Sequence, residues 1–165
     1  MKGINNLMAI YFLPPCYFSC KYSKNQSNGT VSIKQDAEKD HDLINQYVEA
    51  IQKGDFQLAA MLLHPNFMAH GPEVGKSRNK RQEMSYWRAL HLHCKDVELK
   101  KPGLVSLKVN EGFCKGDWML GWGNYKITNC KEKNTLSGCY HMAAKTDGYR
   151  IIEIQFWYEH NHSSI

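Results

Sequence analysis

Three residues of the sequence, His141, Tyr47 and His70, are the candidates for proton transfer in a site. His141 lies between Tyr140 and Met142 in a segment that reads as a β-strand, so its imidazole points either into the interior or into solvent. If it points inward beside Tyr47, the pair could polarise a carbonyl group or shuttle a proton, since histidine titrates near neutral pH. His70, which leads into a loop, is a candidate general base. The alternatives are a buried histidine satisfied by one tyrosine hydroxyl for His141, and a rim position for His70.

Aromatic residues give a second signal, that of an apolar binding pocket. In the strand that begins at Asp117, one face carries Trp118, Leu120, Trp122 and Asn124, and the other carries Gly121 and Gly123. The glycines permit sharp strand curvature or the close approach of a helix. Asn124 could be the polar group that orients a ligand in such a pocket. The predicted ligand-binding residues are Trp118, Trp122, Asn124, Trp87 and Trp157, and simple core packing is the alternative for the tryptophans.

The sequence gives little support for a metal site or for a nucleophilic catalytic residue. His91 and His93 are two residues apart on a predicted helix and point to different faces, and His160-x-His162 lies in a C-terminal tail. No carboxylate or cysteine set surrounds either pair, so we expect no metal and no other cofactor. Serine and cysteine occur in no nucleophile-elbow motif.

The six cysteines form no Cys-x-x-Cys pair, which excludes zinc-site and thioredoxin-type spacings. Cys130 and Cys139 flank a predicted charged turn. They could be bridged across two strands in an oxidising compartment, but the register that decides this is not readable from the sequence.

Hydrophobic periodicity predicts two helices near the start of the domain. The first spans Asp36 to Lys53 and ends at Gly54, and Asp55 caps a shorter second helix that stops at His64-Pro65. The apolar stripe of the first helix is Leu43, Ile44, Tyr47, Val48 and Ile51, and the second helix buries Leu58, Met61 and Leu62.

A third helix and a run of strands follow. The helix starts at Asn79, where Gln82 completes a variant of the capping box, and it ends near Cys94. Extended segments are predicted over 66–70, 97–109, 117–128, 137–145 and after the Asp147-Gly148 hairpin turn. Helices followed by strands predict the α+β class, with the helices on one face of the sheet.

The first 20 residues read as an export signal. Lys2 precedes a short apolar run that is too short to span a membrane and is broken by Pro14-Pro15. Ser19-Cys20 resembles a bacterial lipoprotein signal, in which a small residue precedes the lipidated cysteine. An ordinary secretory signal and an uncleaved leader are the alternatives. We therefore predict a signal over 1–20 with lipidation at Cys20, a polar tether over 21–35, a domain over 36–160 and a tail over 161–165. The predicted location is exported, either membrane-anchored through the lipid or periplasmic.

The formal net charge of +5 is mild and spread out. Its densest cluster is Lys76, Arg78, Lys80 and Arg81. We interpret this cluster as a solvated helix entrance rather than a nucleic-acid surface, and expect no nucleic-acid partner.

An ordered series of short motifs carries a family resemblance. The motifs are Tyr47-Val48-Glu49-Ala50-Ile51 followed by Gly54-Asp55, Phe67 to Pro72, Trp87, Gly116-Asp117-Trp118, Trp122-Gly123-Asn124-Tyr125, Tyr140-His141 and Asp147-Gly148. Over roughly Asp36 to Glu159 the chain resembles the SnoaL-like, nuclear transport factor 2-like superfamily, and in particular its exported or lipoprotein-like bacterial members. The resemblance implies a cystatin-like α+β cone. In such a cone three N-terminal helices pack in a strongly curved, mostly antiparallel sheet.

The resemblance to one enzyme of that superfamily, ketosteroid isomerase, is incomplete. That enzyme needs an aspartate base and an oxyanion hole made by a tyrosine and a protonated aspartic acid. Tyr47 matches the tyrosine, but the base position falls on Gly71 beside His70, and the second donor falls at or near His141. Isomerisation of that kind is therefore not implied.

Three functions follow as hypotheses. The first is an exported, lipid-anchored domain that binds a small apolar or amphipathic molecule in its cone, without established catalysis. The second is a SnoaL-like lyase, isomerase or hydrolase using His141, Tyr47 and His70. The third is an interaction module that forms a homodimer through the open sheet face. A deep pocket where His141 and Tyr47 converge would favour the second, and exposed aromatic residues on the sheet would favour the third.

Overall fold

The computed structural model of the protein describes residues 30–71, 75–131 and 134–158. In chain order its elements are β1 (Val31–Ile33), α1 (Glu38–Lys53), α2 (Phe56–Leu62), β2 (Leu63–His70), β3 (Ser77–Asn79), α3 (Lys80–His93), β4 (Cys94–Leu99), β5 (Gly103–Val109), β6 (Gly116–Asn129), β7 (Thr135–Thr146) and β8 (Ile151–Tyr158). The α+β class is confirmed. The predicted order, with one short strand among the helices, missed β1 and β3. Strand β1 lies in the stretch predicted to be a polar tether.

The helix ends follow the local sequence signals. Gly54 adopts a left-handed conformation with φ of 72°, which ends α1, and the Asp55 carboxylate accepts a hydrogen bond from Leu58 N at 2.9 Å to start α2. At the start of α3, Asn79 Oδ1 accepts from Gln82 N at 3.0 Å, and Gln82 Oε1 accepts from Asn79 N at 2.9 Å. The predicted capping box is therefore confirmed.

The apolar stripe of α1 is buried as predicted, but that of α2 is not. Leu58 and Met61 are exposed, and the residue of α2 that is fully buried is Ala59. The reason is that α2 ends at Leu62 and the chain passes directly into β2, so that Leu63 fills the core position. The prediction that Leu58 and Met61 pack in the core is wrong.

The sheet is mixed, curved and open, and the long strand β6 is its centre. Its strand order is β1-β5-β6-β7-β8-β2-β3, and β4 also pairs with β6. Strand β5 lies along the first half of β6 and β4 along the second half, while β7 pairs along twelve successive positions of the other edge. Strands β2 and β8 run parallel, and the other pairings among the described strands are antiparallel.

The helices cover the glycine-bearing face of β6, so the face that carries Trp118 and Trp122, which were predicted to line the pocket, lies on the outside. A Cβ atom on Gly123 would lie 2.7 Å from Cζ of Tyr140, and one on Gly121 would lie 2.9 Å from Cγ of Met142. Both of these β7 side chains belong to the core. The two glycines therefore make room for side chains of the neighbouring strand, rather than for a helix.

An ion-pair cluster fixes the first turn of α1 to the sheet. The buried Asp40 carboxylate lies 2.6 Å from Lys34 Nζ and accepts from Thr146 Oγ1 at 3.1 Å, and Lys34 Nζ also lies 2.7 Å from Asp117 Oδ2. Hydrogen bonds to Asp117 and to Asp40 raise the pKa of Lys34. This cluster holds in place the helix that contributes Tyr47. None of the three helices in the described ranges is long and apolar enough to cross a membrane.

Candidate functional site

A cavity of about 650 Å³ lies between the helices and the inner face of the sheet. It falls within the size range of small-molecule sites, and most of its lining is apolar or aromatic. The residues that line it are Tyr47, Val48, Ile51, Gly71, Arg78, Tyr86, Trp87, Leu90, Cys94, Leu99, Tyr125, Ile127, Asn129, Asn134, Thr135, Leu136, Tyr140, Phe156 and Tyr158.

Helix α1 contributes Tyr47, whose side chain is 1% exposed. Its hydroxyl has no hydrogen-bond partner among the residues that the structure describes. The indole N–H of Trp87, which lies near this hydroxyl, donates to Glu83 Oε1 at 2.8 Å instead. Burial, and then the negative charge of Glu83, raise the pKa of Tyr47 well above its ordinary value. Tyr47 therefore stays protonated and can donate a hydrogen bond into the cavity.

A buried carboxylate lies behind the cavity wall at the first turn of α3. Glu83 is fully buried, and its Oε2 accepts from Arg78 Nε at 2.6 Å while its Oε1 accepts from Trp87 Nε1 at 2.8 Å. The Arg78 guanidinium lies over the ring of Tyr86, with 4.3 Å between its carbon and the ring centroid. The start of α3 at Asn79 sets this geometry, because it places Glu83 and Trp87 one turn apart on the same side of the helix.

Tyrosines from the sheet form much of the opposite wall. The Tyr140 hydroxyl donates to Lys100 O at 2.8 Å, and burial raises the pKa of Tyr140 to about 12. The rings of Tyr125 and Tyr158 meet edge to face at 6.5 Å between centroids. These rings make a wall suited to a flat or apolar molecule.

Two of the predicted site residues, Tyr47 and Trp87, line this cavity. His141 is exposed on the outer face of the sheet, where it pairs across the strands with Trp122 and Trp157. Of the two orientations that the sequence left open for His141, the structure shows the solvent-facing one. His141 therefore does not lie beside Tyr47, which is on the helix-covered side of the sheet. His70 is partly exposed, and its Nε2 lies 3.5 Å from Glu153 Oε1.

The other predicted ligand-binding residues also lie on the outer face. Trp122 and Trp157 are about half exposed, at 50% and 46%. Trp118 Nε1 donates to Cys114 O at 2.6 Å, and Asn124 Oδ1 lies 3.4 Å from Cys139 Sγ. None of these four lines the cavity described above.

Arg78 and Glu83 were not predicted as site residues. Arg78 had been grouped with its basic neighbours as part of a solvated helix entrance. The overlooked signal was an acidic residue, Glu83, next to the apolar Met84 and four residues before Trp87, which places it on the same side of α3 as the tryptophan. A charge on an apolar face needs a buried partner, and the cationic candidate is Arg78 just before the helix.

The register of the sheet decides the open question of the Cys130–Cys139 disulfide. Cys139 pairs with Asn124, and Cys130 follows six residues later, beyond the end of β6. Six extended residues span about 20 Å, whereas bridged cysteines have Cα atoms roughly 4.4 to 6.8 Å apart. Both thiols are free.

Comparisons with known proteins identify the fold. No family model matches the sequence, and no curated protein matches it. A nuclear transport factor 2-like protein of unknown function from Burkholderia pseudomallei has a TM-score of 0.58 at 12% identity, covering 74% of this chain and 92% of its own. A protein from Shewanella denitrificans assigned to the SnoaL-like polyketide cyclases has a TM-score of 0.57 at 13% identity, covering 74% and 91%. TerC, co-crystallised with polyporic acid, has a TM-score of 0.58 at 11% identity, covering 74% and 92%. The chain therefore has the nuclear transport factor 2-like fold.

Proposed function

We propose that this domain binds a small, mainly apolar molecule in its cone cavity. The observation that carries the proposal is the buried Tyr47 hydroxyl, which lines a cavity of about 650 Å³ and has no partner among the described residues. Leaving a buried hydroxyl without a hydrogen bond costs about 1–3 kcal/mol. A ligand with an acceptor oxygen would recover that free energy on binding.

A blocking substitution tests whether the cavity binds. The probe is N-phenyl-1-naphthylamine, an uncharged aromatic amine whose fluorescence rises in apolar surroundings. Leu90→Trp enlarges a side chain that lines the cavity, and we expect it to weaken probe binding at least tenfold. Leu92→Trp is the matched control, because Leu92 lies on the same helix and is 79% exposed. Equal affinity of the probe for both variants would contradict binding in the cavity.

The outer sheet face supports a second candidate function, homodimerisation. Val105, Leu120, Trp122 and Trp157 are all partly exposed there, on neighbouring strands, with His141 between the two tryptophans. Clusters of this kind mark interaction surfaces. We expect Trp122→Lys to convert a dimer into a monomer in sedimentation velocity. Tyr149→Lys, at a highly exposed position in the β7–β8 turn, should leave the dimer intact. A wild-type protein that is monomeric at micromolar concentrations would refute this candidate.

The geometry does not support an active site built from His141, Tyr47 and His70. A general base must reach the proton that it removes, and His141 lies on the opposite face of the sheet from Tyr47. The geometry thus favours binding over proton transfer by these three residues.

Export and lipid attachment complete the proposal. Cys20 and the signal-like segment before it lie outside the described residues, and their support is the sequence pattern of Ser19-Cys20. We expect the protein purified from membranes to carry a diacylglycerol-sized mass increase at Cys20. Cys20→Ser should abolish that increase, and an unmodified wild-type mass would refute lipidation.

A further inference from the structure

We infer that the ligand of this cavity carries one acidic group, a carboxylate or similar monoanion, held by Arg78 and Tyr47. This inference rests on the proposed binding function and specifies its ligand. A molecule of this class has an apolar or aromatic body against the tyrosine wall and a single anionic end at the junction of β3 and α3.

Arg78 gives the cavity its charge preference. Among the described lining residues it is the only one of the Lys, Arg, Asp and Glu types. A ligand cation would meet no carboxylate in that lining, whereas an anion would meet a guanidinium that stays charged at any physiological pH. An acidic ligand is therefore favoured over a basic one.

Glu83 orients Arg78 without occupying its terminal nitrogens. The contact between the two residues runs from Nε to Oε2 at 2.6 Å, and the other carboxylate oxygen is taken by Trp87. Glu83 thus engages Nε and leaves Nη1 and Nη2 available to another acceptor, and the position of the guanidinium carbon 4.3 Å from the Tyr86 ring centroid restricts the movement of the group. The terminal nitrogens of a fixed guanidinium match the two oxygens of a carboxylate. The Glu83 charge reduces the attraction, but an anion at the terminal nitrogens lies nearer to the cation than to Glu83.

Tyr47 supplies the second donor. Its hydroxyl lines the same cavity and has no hydrogen-bond partner among the described residues. One carboxylate can accept several hydrogen bonds at once. A single acidic group is thus able to satisfy the Tyr47 hydroxyl together with Arg78.

A matched pair of probes tests the charge preference. 1-Anilinonaphthalene-8-sulfonate has the aromatic body of N-phenyl-1-naphthylamine plus a permanent negative charge. In the double variant Arg78→Gln, Glu83→Gln both charges are removed while an amide contact is kept, so Glu83 does not become an unpaired buried ion. We expect this variant to bind the sulfonate about ten- to a hundredfold more weakly and to bind the amine within about twofold of wild type. Arg81→Gln, at an exposed position of the same helix, should change neither affinity.

Tyr47→Phe provides a second test that does not threaten folding, because the hydroxyl it removes has no described partner. We expect roughly threefold to tenfold weaker sulfonate binding with unchanged amine binding. Equal losses for both probes in these variants, or no loss for the sulfonate, would overturn the inference while leaving cavity binding intact. Leu90→Trp distinguishes a failure of the acidic-ligand inference from a failure of the proposed cavity binding. Sulfonate binding that survives this substitution lies outside the cavity and overturns the inference, and amine binding that survives it overturns the proposed function.

Discussion

Gly123→Ala should test how the inner wall of the cavity is built. The added Cβ would lie 2.7 Å from both Cζ and Oη of Tyr140, a distance that non-bonded carbon atoms do not tolerate. Tyr140 is 6% exposed and its hydroxyl is held by Lys100 O at 2.8 Å. A movement of the ring away from this Cβ strains the hydrogen bond to Lys100 O and changes the cavity wall, since Tyr140 lines the cavity.

The expected cost follows from these contacts. Overpacking costs roughly 1–3 kcal/mol, and loss of the buried hydrogen bond costs about 1 kcal/mol. Replacing glycine by alanine within a strand returns roughly 0.5–1 kcal/mol of backbone entropy. We therefore expect the free energy of unfolding to fall by about 2 kcal/mol. The displaced ring should also weaken binding of N-phenyl-1-naphthylamine.

Urea unfolding followed by tryptophan fluorescence measures the change. Gly71→Ala is the matched control, since a Cβ there meets nothing within 4 Å and its backbone is not left-handed. It should shift the unfolding free energy by less than about 0.5 kcal/mol. In a Tyr140→Ala background the Gly123→Ala cost should almost vanish. If Gly123→Ala resembles Gly71→Ala, or if its cost is the same without the Tyr140 ring, the assigned packing of these strands is wrong.

Two further predictions concern pH and helix capping. Burial raises the pKa of Tyr140 from 10.0 to about 12, so the unfolded chain ionises first. The stability that the neutral, buried Tyr140 hydroxyl contributes is fully present below pH 10 and is lost as the pH rises through 12. The unfolding free energy should therefore fall by about 2 kcal/mol over that range. In urea titrations Tyr140→Phe should flatten this alkaline fall, and the exposed Tyr149→Phe should not; equal slopes would contradict the assignment. Asn79→Ala should remove the α3 cap and lower the unfolding free energy by about 1 kcal/mol, seen as a lower Tm. Ser85→Ala, on the exposed side of α3, is the control, and an equal Tm for the two variants would argue against the cap.

Local signals predicted the helices well, because the physics that ends a helix lies within a few residues. Gly54 and Asp55 separate α1 from α2 through a left-handed glycine and a carboxylate cap, and Asn79 with Gln82 starts α3. These interactions depend on side chains that are close in sequence. A single chain therefore carries enough information to place them.

The orientation of β6 could not be read in the same way. Alternation separates the tryptophan set from the glycine set correctly, but it does not say which set faces the helices. Hydrophobicity favoured the tryptophans, and the structure buries the glycine face instead. The decision is made by Tyr140 and Met142 on β7, which become neighbours of Gly123 and Gly121 only through the register of the sheet.

The polar end of the cavity, at Arg78 and its partner Glu83, could not be predicted from the sequence for a related reason. Arg78 and Glu83 are close in sequence, but a basic cluster before a helix is usually solvated. The two residues form a partly buried ion pair only when β3 joins the sheet edge beside β2. His141 is the opposite case, a residue considered for the interior that lies on the outer face. A histidine between tyrosine and methionine suggested an interior site, and strand alternation placed it outside.

The parallel pairing of β2 with β8 has a consequence for how the chain folds. The neighbour of β2 on one side, β3, follows it closely, but its other neighbour is the last strand of the described fold, paired from Leu63↔Ile151 to His70↔Gln155. During synthesis β2 therefore emerges long before β8 exists, and its second row of backbone N–H and C=O groups has to wait for the chain to reach Tyr158. Pairings so distant in sequence slow folding and prolong the exposure of an open strand edge. We expect the domain to become stable only once β8 is available, and a chain that stops after Thr146 to aggregate through β2.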